Sequence, residues 1–506
     1  MAANKRRNAW GLKERDSAIL LHISSLPSGA GIGTLGQEAY AFVDFLKQCG
    51  CTVWQMLPIG PTGFGDSPYQ SASTHAGNPL FVDCETLVRE GLLDAVEPVP
   101  PEESKNVIHF EAVRRRQETM LARAFALSRE RLKKEVDAYR NCSFWVEDYA
   151  LFTALKELFE GAPLWAWPDG AIRRREPDAL ARYRSMLEEQ IEYHIFVQYL
   201  FHRQWENLRS YCNDNGIRLL GDIPIYVAGD SADVWADPGM FQVDGERRPV
   251  KVAGVPPDYF SEDGQLWGNP CYQWKAHKKE GYAWWVQRMW SVARRFDMVR
   301  LDHFIGFARY YAIEAGAPNA REGTWEKGPG KGLFRALRRK VPGLQIIAED
   351  LGVVSPAVKR LLKWSGFPGM QVLQFAFEGK SDDPGLPDNV GENCAYYTGT
   401  HDNDTTLGWI HSLDGKHRKK VRKALKIKKD AEILPAMIQS VLGSRAKLAA
   451  IPMQDYLGLD TEARMNLPGS VGGGNWRWRM EPGAANDALA RRIAELNRKT
   501  GRGRKT

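Results

Sequence analysis

Eight short apolar runs, spread along 506 residues, constrain this chain more than anything else in it. They are AILLHI (18–23), TVWQMLP (52–58), IRLLGDIPIYV (217–227) and DMVRLDHF (297–304), then LQIIAEDLG (344–352), MQVLQFAF (370–377), CAYYTGTHDND (394–404) and LAAIPMQD (448–455). Many run into Gly, Pro, Asp or His. Helical patterns lie between several of them, at 36–47, 283–295 and 356–364. Strand-plus-helix units repeated in this way predict an α/β fold of the (β/α)8 TIM-barrel type. Runs that are apolar at nearly every position fit strands buried on both faces.

The spacing is uneven. About 160 residues separate the second run from the third, too many for a structureless loop. Charged helical periodicity fills the gap, so 84–212 is predicted to be a mostly helical insertion between strands 2 and 3. Residues 228–283 are rich in Gly, Pro, Asp and aromatics. They read as a loop-rich insertion between strands 3 and 4 that covers the active site. On this reading 1–506 is a single catalytic domain.

A net charge of +7 is small for this length and does not itself imply a nucleic-acid or membrane partner. The seven cysteines include no C-x-x-C pair, which argues against a disulfide framework or a zinc site and for a reducing compartment. The basic N-terminus lacks the apolar core of a signal peptide, and no apolar run reaches transmembrane length. The expectation is a soluble cytoplasmic protein. Two segments are strongly basic, KHRKKVRKALKIKK (416–429) and NRKTGRGRKT (497–506), and without interleaved aromatics they read as solvated surface.

The charges placed at strand ends are more telling. Buried charges are costly unless paired or at work, yet four of the runs end in acids: Asp222, Asp302, Glu349 with Asp350, and Asp402. In a barrel these positions lie at the C-terminal ends of the third, fourth, fifth and seventh strands, where chemistry is done. Converging carboxylates suit either a hard metal ion or glycosidic-bond cleavage by paired acids. Arg300, two residues before Asp302, shares its side of the strand and works against a metal at that point. A cation so near favours an ionised carboxylate, fit for a nucleophile, whereas Glu349 follows an apolar run where desolvation would suit it to acid work.

Three loops at predicted strand tops combine rings, amides and carboxylates: GDSPYQSAS (65–73), VPPDYFSEDGQLWGNP (255–270) and THDND (400–404). Rings stack on the apolar faces of sugars, and amides and acids bind their hydroxyls. The chain's 17 Trp, 17 Tyr and 20 Phe are compatible with this, although aromatics also fill cores. There is no P-loop and no G-x-S-x-G elbow.

With these motifs in hand, the chain closely resembles the 4-α-glucanotransferases (amylomaltases, or disproportionating enzymes) of the α-amylase-like barrel clan. The matching segments include ILLHISSLPSGAGIGTLG, GDSPYQSASTHAGNPLFVD, GDIPIYVAGDSADVW, VAGVPPDYFSEDGQLWGNPCY, VRLDHFIGF, IIAEDLGVVSPAVKRLL and YTGTHDNDTTLGW, in order and nearly end to end. The resemblance implies transfer of an α-1,4-glucan segment by retaining double displacement. It implies that Asp302 is the nucleophile, Glu349 the general acid/base and Asp402 the third acid, which holds sugar hydroxyls. Arg300, Asp222, His401 and Tyr69 match donor-sugar contacts. Tyr259 and Phe260 match a mobile loop over the acceptor side, with Trp267 a substrate-contacting ring nearby. No cofactor or metal is implied, and the partners are maltooligosaccharides and starch- or glycogen-derived glucans, with a monomer or a homodimer both open. Ile305 departs from the family pattern, which commonly has arginine there, and the 416–429 helix is more basic than expected. An α-amylase-type hydrolase and an inactive glucan-binding barrel are the alternatives.

Overall fold

The computed structural model describes residues 11–100, 106–257, 262–352, 354–379 and 381–503. Strands β1 (Asp16–Leu20), β2 (Val53–Gln55) and β3 (Arg218–Ile223) come first in the chain. β4 (Lys251–Val255) and β5 (Gln265–Pro270) precede β6 (Met298–Leu301). β7 (Arg309–Glu314) and β8 (Thr324–Lys327) precede β9 (Gln345–Ala348), and β10 (Gly369–Val372), β11 (Cys394–Tyr397) and β12 (Leu448–Pro452) follow.

Eight of these strands form one parallel sheet in the order β10-β11-β12-β1-β2-β3-β6-β9. The two ends of that order meet where the Ala348 N–H donates to the Pro368 carbonyl at 2.9 Å, so the sheet closes on itself as a barrel. All eight apolar runs of the sequence supply its strands. The reason is visible in the burial. Ala18, Val53, Leu220, Met298, Ile347, Met370, Ala395 and Ala450 fill the lumen, while neighbours such as Ile19, Trp54, Leu219, Val299 and Ile346 pack outward under the helices. With a side-chain period of two, a strand buried on both faces must be apolar throughout.

Between β2 and β3 the chain folds largely into helices, the longest being Phe110–Cys142, Val146–Leu158 and Glu188–Asp214. Along Phe110–Cys142 the buried residues fall at Val113, Gln117, Met120, Leu121, Ala124 and Ser128, one face of a helix. Between β3 and β6 the structure departs from the loop-rich reading. β4 and β5 pair with each other and, across β6 in the chain, with β7 and β8, giving a four-stranded antiparallel sheet in the order β5-β4-β7-β8. KVAGV and QLWGNP each carry a glycine, and a bulge interrupts their pairing. Neither shows clean alternation, and β7 is remote in sequence, so nothing local marks them as strands. Among the described residues no helix is long and apolar enough to cross a membrane.

Candidate active site

The pleat that fills the lumen also aims the acids. Asp222 lies two residues beyond Leu220, Arg300 two beyond Met298, Asp302 two beyond Arg300 and Glu349 two beyond Ile347, so each continues an inward-facing row to the C-terminal mouth. The register holds these rows together. Asp222 sits opposite Arg300, and Leu301 opposite Ala348. Just past the strands, the Asp302 N–H donates to the Ile223 carbonyl and the Glu349 N–H to the Leu301 carbonyl, each at 3.0 Å.

Arg300 is the hub. Its Nη1 donates to Asp222 Oδ2 at 2.7 Å, and its Nη2 lies 2.8 Å from Asp302 Oδ1. Burial works against the guanidinium charge, but Asp222 and Asp302 outweigh it and hold the group well above the usual arginine range. Asp222 is only 2% exposed and lies beneath the cleft floor. Burial raises its pKa, with Asp302 adding to the rise and Arg300 opposing it. Asp302 is more open, its side chain keeping 27% of its exposure. One fork thus couples a buried support to a carboxylate that remains reachable.

Glu349 has the opposite surroundings. Desolvation pushes its carboxyl up to about 7; Asp302 adds to that and Arg300 opposes it. Two backbone donors fix its plane: the His303 N–H to Oε2 at 2.7 Å and the Leu351 N–H to Oε1 at 2.8 Å. His303 can present its N–H there because it takes a left-handed conformation, φ 47° and ψ 50°, uncommon for a residue with a Cβ. Asp350 is turned away from the cleft. Its Oδ1 accepts the Met370 N–H at 2.8 Å and so ties β9 to β10.

The seventh strand leads to a second group. Tyr69 and His401 stack with ring centres 5.3 Å apart and 13° between planes. The Tyr69 hydroxyl donates to Asp222 Oδ2 at 2.7 Å and lies 2.9 Å from His401 Nε2. His401 Nε2 is 3.4 Å from Asp402 Oδ1, which also accepts from Asn466 Nδ2 at 2.6 Å. Arg464 Nη2 donates to the Asp402 carbonyl at 2.8 Å, and Trp476 packs against both stacked rings. A continuous set of contacts therefore links Asp302, Arg300, Asp222, Tyr69, His401 and Asp402.

On the other side, Trp267 of β5 meets the His303 ring edge-on, with centres 4.9 Å apart. Tyr259 and Phe260 lie outside the described residues. Sequence reasoning missed Asn466, Arg464, Trp476 and the backbone role of His303. The first three belong to ARMNLPGSVGGGNW (463–476), a Gly-rich strand-top segment after β12 with the amide and aromatic content that marked the other loops. Ile305, in the turn after Asp302, is buried and packs in the core. Among the described residues no group of three or more His, Cys, Asp and Glu is placed to hold a metal ion.

Two carboxyls at the mouths of adjacent strands thus differ in kind, one paired with a fixed cation and one desolvated with a raised pKa. That division suits one to nucleophilic attack and the other to proton transfer. The stacked rings, the Asn466 amide and Asp402 belong to the same set of contacts and offer polar groups of the kind that hydrogen-bond hydroxyls.

Comparison with known proteins points to one family. The family described as 4-alpha-glucanotransferase matches residues 21–485. The 4-alpha-glucanotransferase of Aquifex aeolicus is 44% identical over 472 residues, covering 92% of this chain and 96% of its own. That of Thermus thermophilus is 42% identical over 500 residues, covering 96% and 99%. The amylomaltase of Streptococcus agalactiae, solved in complex with acarbose, superposes with a TM-score of 0.92 at 38% identity, covering 97% of this chain and all of that one. With the fold, the cleft and near full-length likeness in agreement, this chain belongs to the 4-alpha-glucanotransferase family.

Proposed function

We propose that the protein moves a segment of an α-1,4-glucan onto the 4-hydroxyl of glucose or of another glucan by a retaining double displacement. Asp302 attacks the anomeric carbon while Glu349 protonates the departing glycosidic oxygen. The donor segment is then held covalently on Asp302. Glu349, now a carboxylate, takes the proton from an incoming 4-hydroxyl, which attacks the same carbon and releases Asp302. Two inversions give net retention. Asp402, oriented by Asn466, binds donor hydroxyls and steadies the transition state. Tyr69, His401 and Arg300 shape the donor side, with Asp222 holding Arg300 and Tyr69 from below. Trp267, with Tyr259 and Phe260, forms the acceptor side.

The observation that carries this reading is the contrast between Asp302, paired with Arg300 at 2.8 Å, and Glu349, pushed up to about 7 by desolvation. A Glu349 titrating there is protonated enough to donate and basic enough to accept near neutral pH. Transfer exceeds hydrolysis when an oriented acceptor sugar takes the place of water. Orientation of two reactants contributes on the order of 7–11 kcal/mol, and a covering loop that excludes water favours it further. The substrates are maltooligosaccharides and starch- or glycogen-derived glucans, handled without cofactor or metal. The seven free cysteines fit a cytoplasmic setting.

Maltotriose distinguishes a transferase from a hydrolase. Exchange conserves the number of α-1,4 bonds, so glucose and a ladder of longer maltooligosaccharides should appear while total reducing ends stay nearly flat. Reducing ends that climb in step with glucose, with no longer chains, would make the protein a hydrolase.

A further inference from the structure

Three consecutive helices around the barrel carry no carboxylate. Ala283–Arg295 reads AWWVQRMWSVARR, Lys331–Lys340 reads KGLFRALRRK and Pro356–Ser365 reads PAVKRLLKWS, which together hold eleven Lys and Arg and no Asp or Glu. The three helices pack side by side. Seven of the cations on the second and third are exposed, and among the described residues none of those seven is in an ion pair with a carboxylate. Some surface cations elsewhere are matched, Arg123 with Asp94, Arg129 with Glu189 and Lys133 with Asp137. Even the lysine-dense 416–429 segment is partly neutralised, through Arg418 and Arg422 on Asp430 and Lys426 on Asp388.

The charges on this wall also converge. At the seam between Lys331–Lys340 and Pro356–Ser365, Lys331 Nζ, Arg335 Cζ and Arg338 Cζ stand 5.6, 5.7 and 5.1 Å from the centre of the one Trp364 ring. The ring face attracts each cation; Arg338 also donates to the Ser365 carbonyl, and the exposed Lys331 and Arg335 repel one another. A multiply charged anion at the seam would relieve that repulsion. On the same wall Trp290, 44% exposed beside the Arg294 guanidinium, offers a flat apolar surface.

The wall starts at the rim of the cleft. Ser355, the N-cap of Pro356–Ser365, is six residues beyond Glu349. Gly330, just before Lys331, donates its N–H at 2.8 Å to the carbonyl of Phe307, in the turn that follows Asp302. The first turns of both helices therefore lie beside the mouth of the cleft.

We propose that this wall binds phosphate monoesters carried by the glucan chain, so that the favoured polymeric substrate is a phosphorylated α-glucan. The inference rests on the transferase reading for the glucan and on the charge pattern for the phosphate. An unmodified glucan is neutral and gives the wall nothing to pair with. A phosphate monoester brings about −1.5 to −2 charge and three strong acceptor oxygens, a match for guanidinium forks.

The test is direct binding by the full-length enzyme in affinity gels. One gel contains amylopectin rich in phosphate monoesters, the other the same amylopectin after phosphatase treatment. At low salt the phosphorylated polymer should bind about tenfold more tightly, and the gap should close near 0.5 M salt, where screening is short-ranged. A variant carrying R335Q, R339Q, K359Q and K363Q should bind both polymers as the wild type binds the dephosphorylated one. A variant with R335K and R339K should keep the preference, separating charge from packing. Transfer on maltotriose, too short to reach the wall, should be equal in all three proteins. Equal wild-type binding of the two polymers, or a preference that survives in the glutamine variant, overturns the inference. Tighter binding to duplex DNA or to anionic vesicles than to phosphorylated amylopectin also overturns it. Absence of wild-type transfer on maltotriose would defeat the transferase reading alone, because the gels do not depend on turnover.

Discussion

Replacing Glu349 by glutamine keeps the side chain's shape and removes one titration. In the folded protein the Glu349 carboxyl is pushed from 4.5 up to about 7, chiefly by desolvation. Between those values the folded protein keeps a proton that the unfolded chain has lost. The stability contribution of this group is therefore fully present below 4.5, falls as pH rises towards 7, and is flat above that. At about 1.4 kcal/mol per pKa unit, the lost stability amounts to roughly 3 kcal/mol. Glutamine does not lose it. Glutamine also has one acceptor oxygen where two backbone donors, the N–H groups of His303 and Leu351, now find one each. One donor left unsatisfied costs about 1–3 kcal/mol at any pH. The absolute effect of Glu349→Gln is thus a small difference, but its pH dependence is not. Urea unfolding of both proteins across about pH 4.5–8.5 should show the variant gaining roughly 3 kcal/mol on the wild type between the two ends. The same group should set the alkaline limb of wild-type kcat/KM, with a midpoint near pH 7. The variant should be inactive on maltotriose. A stability difference that stays flat across that range would show that Glu349 titrates normally, and the assignment of proton donor would fall with it.

Asp302→Ala should abolish transfer, and azide should restore turnover by occupying the space of the missing carboxylate; near-normal activity without azide would put the nucleophile elsewhere. Asn466→Ala removes the 2.6 Å donor to Asp402, and if the full worth of a charge-assisted bond, about 1.5–3 kcal/mol, is felt in the transition state, kcat/KM falls by roughly 10- to 150-fold. A change under twofold would detach Asn466 from the site. Lys419, Lys420, Lys423 and Lys428 lie in the basic 416–429 segment, and maltotriose is neutral, so changing all four to glutamine should leave kcat/KM on maltotriose within about threefold. A hundredfold drop would reveal a functional surface there. Tyr259→Ala with Phe260→Ala should make reducing ends rise during incubation with maltotriose, and a flat trace would remove water exclusion from the role of that loop.

The barrel was legible in the sequence because a strand buried on both faces has to be apolar at both parities. All eight such strands declare themselves without reference to their partners. The acids were legible for a related reason: Asp222, Arg300, Asp302 and Glu349 break apolar runs at the place where a barrel opens to solvent. Sequence could also assign Arg300 and Asp302 to one side of a strand, since that follows from a period of two. What it could not decide was anything set by pairing between distant segments. The β5-β4-β7-β8 sheet depends on contacts across β6, and its glycine-bearing strands carry no local signature. The Asn466 amide reaches Asp402 from 64 residues away in the chain. The His303 N–H reaches Glu349 only because its backbone turns left-handed, which an ordinary histidine in a sequence does not announce. The proton affinity of Glu349 is likewise a tertiary property. The sequence named a carboxyl at the end of an apolar run, but only the folded cleft strips water from it while placing Arg300, Asp302 and two N–H donors around it. Polarity and periodicity are local, so sequence carries them; desolvation and convergence come from many segments at once, so only the fold decides them.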